Sequence, residues 1–404
     1  MDRNKLLTGA YFFGKNMYSD KHVKALADMG VDILVAVPPD RELLDLCEKY
    51  GIKVILSGAV PSWWGDNGQK AGQYKETLDL AVFDKIKETY FKHPAIWGDY
   101  PVDEPNAKDF GHINAMMKKY RETFPGQLPF VTLYPNYASV LPAPDSDAMS
   151  QLGNVTYKEH IEQYVRDVED DYICFDSYPY GSVFSGYLEN LDNVSEVCRR
   201  SGRDMWVIIQ TGAWKPEAIL DEYQIYWQTN LCLAYGTKII MHACYYHGWW
   251  DHTTSCVDNE GNLNPTYYYA KNVNRDLHML SDVFMKYRHL GVAVYGDLTA
   301  AEERIRIQLE KQKSRSPFRG IQGIEIEADG AIVAGCFEAK DGKGYALMLV
   351  NTKNPFSVSA DVKVNVKTYG SEKTTAFYKG SSVSFSGSSG LIIKSGDGVF
   401  LTVE

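Results

Sequence analysis

Short apolar runs alternate with amphipathic stretches from the start of the chain to about residue 290. Short apolar runs bounded by turn residues are typical of buried strands, whereas apolar residues that recur every three or four positions are typical of helices. Gly30, Gly51 and Gly202 follow helical stretches and precede the next apolar run, as glycines at helix ends do. The eight predicted strands are Thr8–Phe13, Ile33–Val37, Val54–Ala59, Ile96–Tyr100, Phe130–Tyr134, Ile173–Asp176, Trp206–Gln210 and Lys238–Ala243.

This alternation predicts a parallel sheet, because consecutive parallel strands need a crossover helix between them. Eight strand–helix units in about 290 residues fit a closed (β/α)8 barrel better than an open doubly wound sheet. A dinucleotide-binding fold is disfavoured, since Gly9 and Gly14 near the first strand lack the G-x-G-x-x-G spacing. We therefore expect an α/β protein in which residues 1–295 form a (β/α)8 barrel.

The pattern changes after the last predicted helix of the barrel. Residues 296–320 contain a charged stretch that we expect to connect two domains, and from Gly323 onward polar and apolar residues alternate between Gly- and Ser-rich turns. Such alternation is typical of antiparallel strands with one buried face. Residues 321–404 are therefore predicted to form a small C-terminal antiparallel β-sandwich, an accessory domain packed on the barrel.

Composition excludes several classes of partner and cofactor. The net charge of −10 argues against nucleic acid, and no apolar run reaches the roughly 20 residues that cross a bilayer. The N-terminus lacks the pattern of a signal peptide, so we expect a cytoplasmic protein or a trimmed secreted one. Seven cysteines without CxxC spacing suggest neither a disulfide framework nor a zinc site. The aromatic content of 13% favours a carbohydrate site, although core packing accounts for most of it.

The fourth predicted strand leads into the acidic motif Asp103-Glu104-Pro105. Active sites of (β/α)8 barrels lie at the C-terminal strand ends, and a proline biases the residue before it toward an extended backbone. Taken alone, the motif also fits a solvated loop with a turn proline. Asp99, on the same strand, would either contact a substrate or raise the pKa of Glu104 by charge repulsion.

The other predicted strand ends carry mainly carboxylates, tyrosines and tryptophans. They are Trp64 after the third strand, Tyr134 after the fifth, Asp176 and Tyr178 after the sixth, Gln210 and Trp214 after the seventh, and His242, His247 and Trp249 after the eighth. Paired carboxylates flanked by aromatic rings are the chemistry of glycosidic bond cleavage. An aldolase-type barrel is disfavoured, because no strand end offers a lysine for a Schiff base.

In this layout the chain resembles the clan A glycoside hydrolases, which place an Asn-Glu-Pro motif at the fourth strand end. The resemblance covers most of the barrel, and its one specific motif is Asp103-Glu104-Pro105. It implies that Glu104 is the general acid/base. It also implies that Asp103 takes the place of the asparagine that contacts the sugar 2-hydroxyl.

One position departs from the clan. The clan's nucleophile is a glutamate at the seventh strand end, where this chain has Gln210. The chain could be an engineered Glu-to-Gln variant, a natural relative that uses another carboxylate, or a sugar-binding protein without activity. We favour the natural relative, because the chain is similar to a loose group of glycosidase-like barrel proteins with Asp-Glu-Pro, Asp-x-Tyr-Pro and a strand ending in Gln. Asp176 is then the predicted second carboxylate, and its alternative role is to cap a turn.

The sequence therefore predicts a glycoside hydrolase that acts on an oligosaccharide or glycoside and needs no cofactor or metal. Its predicted catalytic residues are Glu104, Asp176 and Asp103. Its predicted substrate contacts are Gln210, Tyr178, Asp99, Tyr134, His242, His247, Trp249, Trp214 and Trp64. Two alternatives remain, namely a non-catalytic carbohydrate-binding protein on a glycosidase scaffold and a metal-dependent hydrolase or lyase that uses His242 and His247.

Overall fold

A closed barrel of eight parallel strands forms the first part of the molecule. The computed structural model describes residues 3–90, 92–181, 183–246, 248–316, 318–369 and 373–404. The barrel strands are β1 (Leu7–Tyr11), β2 (Ile33–Val37), β3 (Lys53–Leu56), β4 (Ile96–Asp103), β5 (Leu128–Thr132), β6 (Tyr172–Ser177), β7 (Asp204–Gln210) and β8 (Thr237–Ala243). Neighbouring strands pair in parallel, β8 pairs with β1, and a parallel bridge between Leu133 and Phe175 joins β5 to β6. The predicted (β/α)8 barrel is confirmed.

Helices connect the strands and cover the outside of the barrel. They are α1 (Asp20–Asp28), α2 (Arg41–Lys49), α3 (Tyr74–Thr77), α4 (Val82–Thr89), α5 (Phe110–Thr123), α6 (Tyr157–Asp167), α7 (Tyr187–Ser201), α8 (Glu222–Ala234) and α9 (Pro265–Phe284), followed by α10 (Glu303–Arg315). Local sequence sets several of these ends. The Thr156 hydroxyl and the Glu159 side chain form a reciprocal cap at the start of α6, and Gly202 ends α7 with a left-handed φ of 72°.

Aromatic side chains fill the interior of the barrel. The Tyr172 and Trp206 rings stack with centroids 3.8 Å apart, and Phe130 and Trp97 pack on Trp206 at 6.2 and 5.8 Å. These inward side chains come from β4, β5, β6 and β7, as expected for the packed layers of a (β/α)8 barrel. Part of the high aromatic content is therefore structural, and the filled interior leaves space for a ligand only at an open end of the barrel.

The C-terminal part is a sandwich of two antiparallel sheets. Its strands are β9 (Tyr287–Tyr295), β10 (Ile324–Ala328), β11 (Ile332–Ala339), β12 (Tyr345–Asn351), β13 (Val362–Thr368), β14 (Lys373–Tyr378), β15 (Ser381–Ser386), β16 (Ser388–Ile393) and β17 (Gly398–Val403). Six strands form one sheet in the order β9-β11-β12-β17-β14-β15, and β10-β13-β16 form the other. Alternate side chains of both sheets, among them Leu347, Val364 and Leu401, share one apolar core. The predicted β-sandwich is confirmed.

The six-stranded sheet also packs on the barrel. Phe337 and Phe400 on its second face contact Phe284 of α9, with ring centroids 5.2 and 5.3 Å apart. Because this sheet is covered on both faces, β12 is buried along nearly its whole length and does not alternate between buried and exposed residues. Strand β9 lies within residues 1–295, the predicted barrel range, yet it pairs with β11 of the sandwich. Helix α10 lies within residues 296–320, the predicted connecting segment. No helix in the described ranges is long and apolar enough to span a membrane.

Candidate active site

The C-terminal ends of the barrel strands surround a pocket of about 660 Å³. This volume lies within the range of about 300–1,000 Å³ that is typical of small-molecule sites. Its described lining residues are Tyr11, Phe12, Ala36, Ser57, Ser62, Trp63, Trp64, Asn67, Tyr100, Asp103, Glu104, Thr132, Asp176, Tyr178, Ile208, Trp214 and Trp249. The pocket therefore contains all three predicted catalytic carboxyl groups together with four of the predicted substrate contacts, Trp64, Tyr178, Trp214 and Trp249.

The backbone around Glu104 is unusual. Its N–H donates to the carbonyl oxygen of Thr132 at 2.8 Å, and its φ is +45°, not the extended value that the following proline favours. Phe12, Ala36 and Asn67, which also line the pocket, have φ values of 63°, 62° and 52°. A left-handed backbone costs about 1–3 kcal/mol for residues other than glycine, and such residues cluster at functional sites. The strain here accordingly supports a functional role for the pocket.

Asp103, Glu104 and Asp176 interact electrostatically. Burial, followed by the nearby Asp176 and Asp103 carboxyl groups, raises the pKa of Glu104 well above its usual value. Burial raises the pKa of Asp103 to about 6, against a 2.5 Å hydrogen bond from the Tyr100 hydroxyl, which lowers it. Burial and then Asp103 raise the pKa of Asp176. Because three neighbouring carboxyl groups do not all ionise together, the cluster keeps a proton near neutral pH, as a general acid requires.

Two contacts distinguish Glu104 from Asp176. The indole N–H of Trp64 donates to Oε2 of Glu104 at 3.3 Å and lowers the pKa of that carboxyl group. Asp176 is only 8% exposed, and its Oδ1 has no hydrogen-bond partner among the described residues. A buried carboxyl oxygen without a partner is costly, so a substrate in the pocket is the natural partner for it.

Aromatic side chains form the walls of the pocket. Trp64 and Trp214 are 44% and 68% exposed, which is unusual for tryptophan. Trp249 packs against Phe12 and Tyr178, each with ring centroids 5.6 Å apart, and Trp214 packs edge-on against Trp250 at 4.9 Å. Exposed aromatic faces beside clustered carboxyl groups suit a sugar ring, whose apolar faces stack on aromatic rings.

Asp99, a predicted substrate contact, is not among the described residues that line the pocket. The register between β4 and β5 shifts between Asp99 and Val102, and this irregularity turns Asp99 toward the surrounding helices. Its Oδ2 accepts hydrogen bonds from the hydroxyl groups of Tyr90 and Tyr120, the latter at 2.8 Å. Asp99 is almost completely buried, and burial raises its pKa to about 6. Glu104 is therefore influenced by Asp103 and Asp176 and not by Asp99.

Gln210 and His242 also lie outside the pocket. The Gln210 side chain accepts from the backbone N–H of Tyr180 at 2.8 Å and donates to the carbonyl oxygen of Gly212 at 3.0 Å, so it ties two loops together. His242 contacts Asn274 of α9 through Nε2 at 2.8 Å and Thr211 through Nδ1 at 3.2 Å. Both side chains are buried and have protein partners, which leaves neither for substrate. His247, a further predicted contact, lies outside the described residues.

Tyrosines at the fifth strand end surround the carboxyl cluster. Tyr134 is buried just outside the lining, and its pKa is raised by burial and then by the charge of Glu104. The nearby side chain of Gln151 acts against this rise and lowers the pKa. Tyr137 was missed in the sequence, yet burial and the charges of Asp176 and Glu104 raise its pKa. It lies three residues beyond Tyr134 in an irregular loop, where no periodic pattern marks it.

Tyr11, Phe12 and Tyr100 were also missed. Tyr11 is the last residue of the first barrel strand and Phe12 follows it, so the rule that C-terminal strand ends face the site would have found both. The sequence does not reveal Tyr100, because residues three positions apart in a regular strand lie on opposite faces. The irregularity in β4 nevertheless places Tyr100 on the same side as Asp103.

One group of described residues has side chains close enough together to bind a metal, and it lies outside the pocket. Asp45 and Glu48 of α2 lie next to His93, whose Nε2 is 2.9 Å from Oδ1 of Asp45. The Nδ1 of His93 accepts from the backbone N–H of Ala95 at 3.1 Å, so the proton of the neutral ring is on Nε2. A nitrogen that carries a proton donates to a carboxylate and does not bind a metal, so a hydrogen-bonded pair explains this group.

No protein-family model matches the chain, and no curated protein matches its sequence. Solved structures of similar fold include a candidate α-L-fucosidase from Bacteroides thetaiotaomicron, with 14% identity over 69% of this chain and 94% of that chain and a TM-score of 0.47. Endoglucanase Cel5A from Pseudomonas stutzeri has 15% identity over 66% and 93% of the two chains, with a TM-score of 0.42. The intracellular xylanase TsXylA from Thermoanaerobacterium saccharolyticum has 13% identity over 66% and 95%, with a TM-score of 0.41. Likenesses this distant assign no activity to the chain.

Proposed function

We propose that this protein is a glycoside hydrolase whose active site is the pocket at the C-terminal end of the barrel. The observation that carries the proposal is the convergence of Asp103, Glu104 and Asp176 in one pocket with aromatic walls. Hydrolysis of a glycosidic bond needs one carboxylic acid that keeps its proton and one carboxylate that faces the developing positive charge. The cluster can supply both, because burial raises the pKa of all three groups, Asp176 and Asp103 raise that of Glu104 further, and Asp103 raises that of Asp176.

Glu104 is the proposed general acid. Burial and the neighbouring carboxyl groups raise its pKa and so favour the protonated form, which can donate its proton to the glycosidic oxygen while the bond from that oxygen to the anomeric carbon breaks. The leaving alcohol takes this proton, and positive charge develops on the anomeric carbon and ring oxygen. The hydrogen bond from Trp64 to Oε2 fixes the orientation of the carboxyl group.

Asp176 is the proposed second carboxylate. Asp176 lines the pocket, its Oδ1 has no partner among the described residues, and we place its carboxyl group opposite the anomeric carbon. The three carboxyl groups titrate as a unit, so one can hold a proton while another is ionised, and the ionised form of Asp176 stabilises the positive charge that develops on the sugar. Gln210 has no part in this scheme, because its amide atoms bond to the backbone of two loops. A water molecule completes the reaction, either directly or after a covalent intermediate with Asp176.

Release of nitrophenol from a panel of nitrophenyl glycosides, together with sugar release from oligosaccharides, tests the proposal. We expect turnover by the wild-type chain and a loss of at least about 100-fold for Glu104→Gln, since general acid catalysis contributes about 10²–10⁴-fold. Asp176→Asn should be at least as impaired. Asp84→Asn, which changes an exposed carboxylate on α4, is the matched control and should retain full activity.

Two outcomes would contradict the proposal. Full activity of Glu104→Gln would exclude Glu104 as the acid. Tight binding of oligosaccharides without any turnover across the panel would instead identify a sugar-binding protein on a barrel scaffold.

A further inference from the structure

The pocket contains one more carboxyl group than hydrolysis requires. Two carboxyl groups suffice for cleavage of a glycosidic bond, yet Asp103 lines the pocket together with Glu104 and Asp176. We propose that the third carboxylate, Asp103, binds the protonated amine of an amino sugar, so that the substrate is a glycoside of a 2-amino-2-deoxy sugar with a free amine. This inference rests on the proposed function and adds the chemical class of the substrate.

Carboxyl groups, and no cationic side chains, occur among the described lining residues of the pocket. Its described lining residues include three carboxyl groups and no lysine, arginine or histidine. Two other deeply buried carboxylates of this chain have a cationic partner, since Asp170 pairs with Arg121 at 3.0 Å and Asp397 pairs with Lys379 at 2.9 Å. Buried charges are retained in proteins when they are paired. A ligand ammonium group would give the pocket the cation that its own lining lacks.

Two further features of the pocket suit an ammonium group. Asp176 is more than nine-tenths buried, lines the pocket, and has an Oδ1 without a partner among the described residues. The walls contain Trp64, Trp214 and Trp249, and the faces of tryptophan rings attract cations. Both features favour a cationic sugar over a neutral one, and the carboxyl cluster disfavours sugars with a carboxylate or sulfate group.

Chain geometry indicates which ring position carries the amine. Glu104 must reach the oxygen on the anomeric carbon, C1, and Asp103 is the residue immediately before it. Both carboxyl groups line the same pocket, and we place that of Asp103 beside the substituent next to C1. That substituent is the group on C2. The hydroxyl of Tyr100, which donates to Oδ1 of Asp103 at 2.5 Å, holds this carboxyl group in place.

Four types of nitrophenyl glycoside, each prepared in the gluco and galacto series and as both anomers, test the inference. They carry a free 2-amine, a 2-hydroxyl, a 2-acetamido group, or a 2-hydroxyl with a C6 carboxylate. At a pH of about 6, where the amine is protonated, we expect kcat/KM for the free amine to exceed the other three by at least tenfold. Asp103→Asn should abolish most of this preference, whereas the control Asp84→Asn should keep it.

Calorimetry gives a readout that does not depend on turnover. Glucosamine should bind the wild-type chain at least tenfold more tightly than glucose or glucuronate. Its binding should also release protons, because an ammonium group favours ionisation of the carboxyl groups whose pKa values are raised in the free protein. Titrations in two buffers with different heats of ionisation measure the number of protons released.

The outcomes separate this inference from the proposed function. If 2-hydroxyl or 2-acetamido glycosides were hydrolysed as fast as the glycoside with a free 2-amine, the amino-sugar inference would be wrong. The proposed hydrolase function would still be supported. No turnover of any glycoside, combined with tight and proton-releasing binding of glucosamine, would support the inference and refute the hydrolase. Equal binding of glucosamine and glucose without proton release would overturn the inference whatever the activity.

Discussion

At the scale of single residues, the conformation of Glu104 determines what the site can do. Its left-handed backbone and its hydrogen bond to Thr132 turn two consecutive side chains, Asp103 and Glu104, toward one pocket. In a regular strand, successive side chains point to opposite faces. The strain at Glu104 therefore explains how adjacent carboxyl groups meet in one site, where Asp103 raises the pKa of Glu104.

The bond between Trp64 and Glu104 leads to a prediction about pH. The indole N–H stabilises the ionised carboxylate and so lowers its pKa, while the active general acid is the protonated form. Trp64→Phe keeps an aromatic wall but removes the donor, so the pKa of Glu104 should rise further. The alkaline limb of the kcat/KM profile should then move to higher pH by about half a unit to one unit.

The neighbouring tryptophan provides a matched control for this measurement. Trp63 also lines the pocket, but its indole N–H has no partner among the described residues. Trp63→Phe should leave the alkaline limb where it is in the wild-type chain. Equal shifts in the two variants, or a shift of the Trp64→Phe limb to lower pH, would show that the hydrogen bond does not tune the acid.

At the scale of elements, the strands could be predicted well from sequence. The predicted Ile33–Val37 coincides with β2, and the predicted Trp206–Gln210 lies within β7. Buried parallel strands read as continuous apolar runs, so length and flanking glycines are enough to find them. The predicted bounds of the fourth strand stop at Tyr100, because Pro101 and the polar residues after it hide the continuation of β4 to Asp103.

The face on which a side chain lies was harder to predict. Glu104 and Asp176 follow from the rule that strand ends face the site, and both line the pocket. Asp99 and His242, two predicted substrate contacts, instead bond to side chains outside the pocket, where a register shift in β4 and the alternation of β8 place them. Local composition does not reveal such shifts, since they depend on pairing with a strand that is distant in sequence.

Replacement of Gln210, at the end of β7, should lower stability without adding activity. Its side chain is nearly inaccessible, and Gln210→Glu would lose the amide donor to Gly212 and bury a negative charge beside carbonyl oxygens. Loss of one such partner costs about 1–3 kcal/mol. We expect a lower free energy of unfolding in denaturant titrations and no gain in glycoside hydrolysis. A gain in hydrolysis would instead place the second carboxylate at the end of β7.

At the scale of the whole molecule, the sandwich and the barrel share an apolar interface. Phe337, Met348 and Phe400 of the six-stranded sheet belong to the same buried cluster as Leu231 and Leu233 of α8. A sheet buried on both faces would expose a large apolar surface if either side unfolded alone. The two parts should therefore unfold together, although the sequence pattern alone indicated only that the second domain packs on the first.

Replacing Phe400 tests this coupling with a probe confined to the barrel. All eight tryptophans lie between residues 63 and 250, so tryptophan fluorescence reports on the barrel alone. Phe400→Ala removes a buried ring that packs on Phe284, at a cost of about 3–5 kcal/mol. The fluorescence midpoint in denaturant should fall together with that of circular dichroism, whereas Ile392→Ala, at a 64% exposed position, should change neither. If circular dichroism showed an early step while the fluorescence transition stayed at its wild-type position, the sandwich would be unfolding on its own, and the shared interface would not couple the two parts.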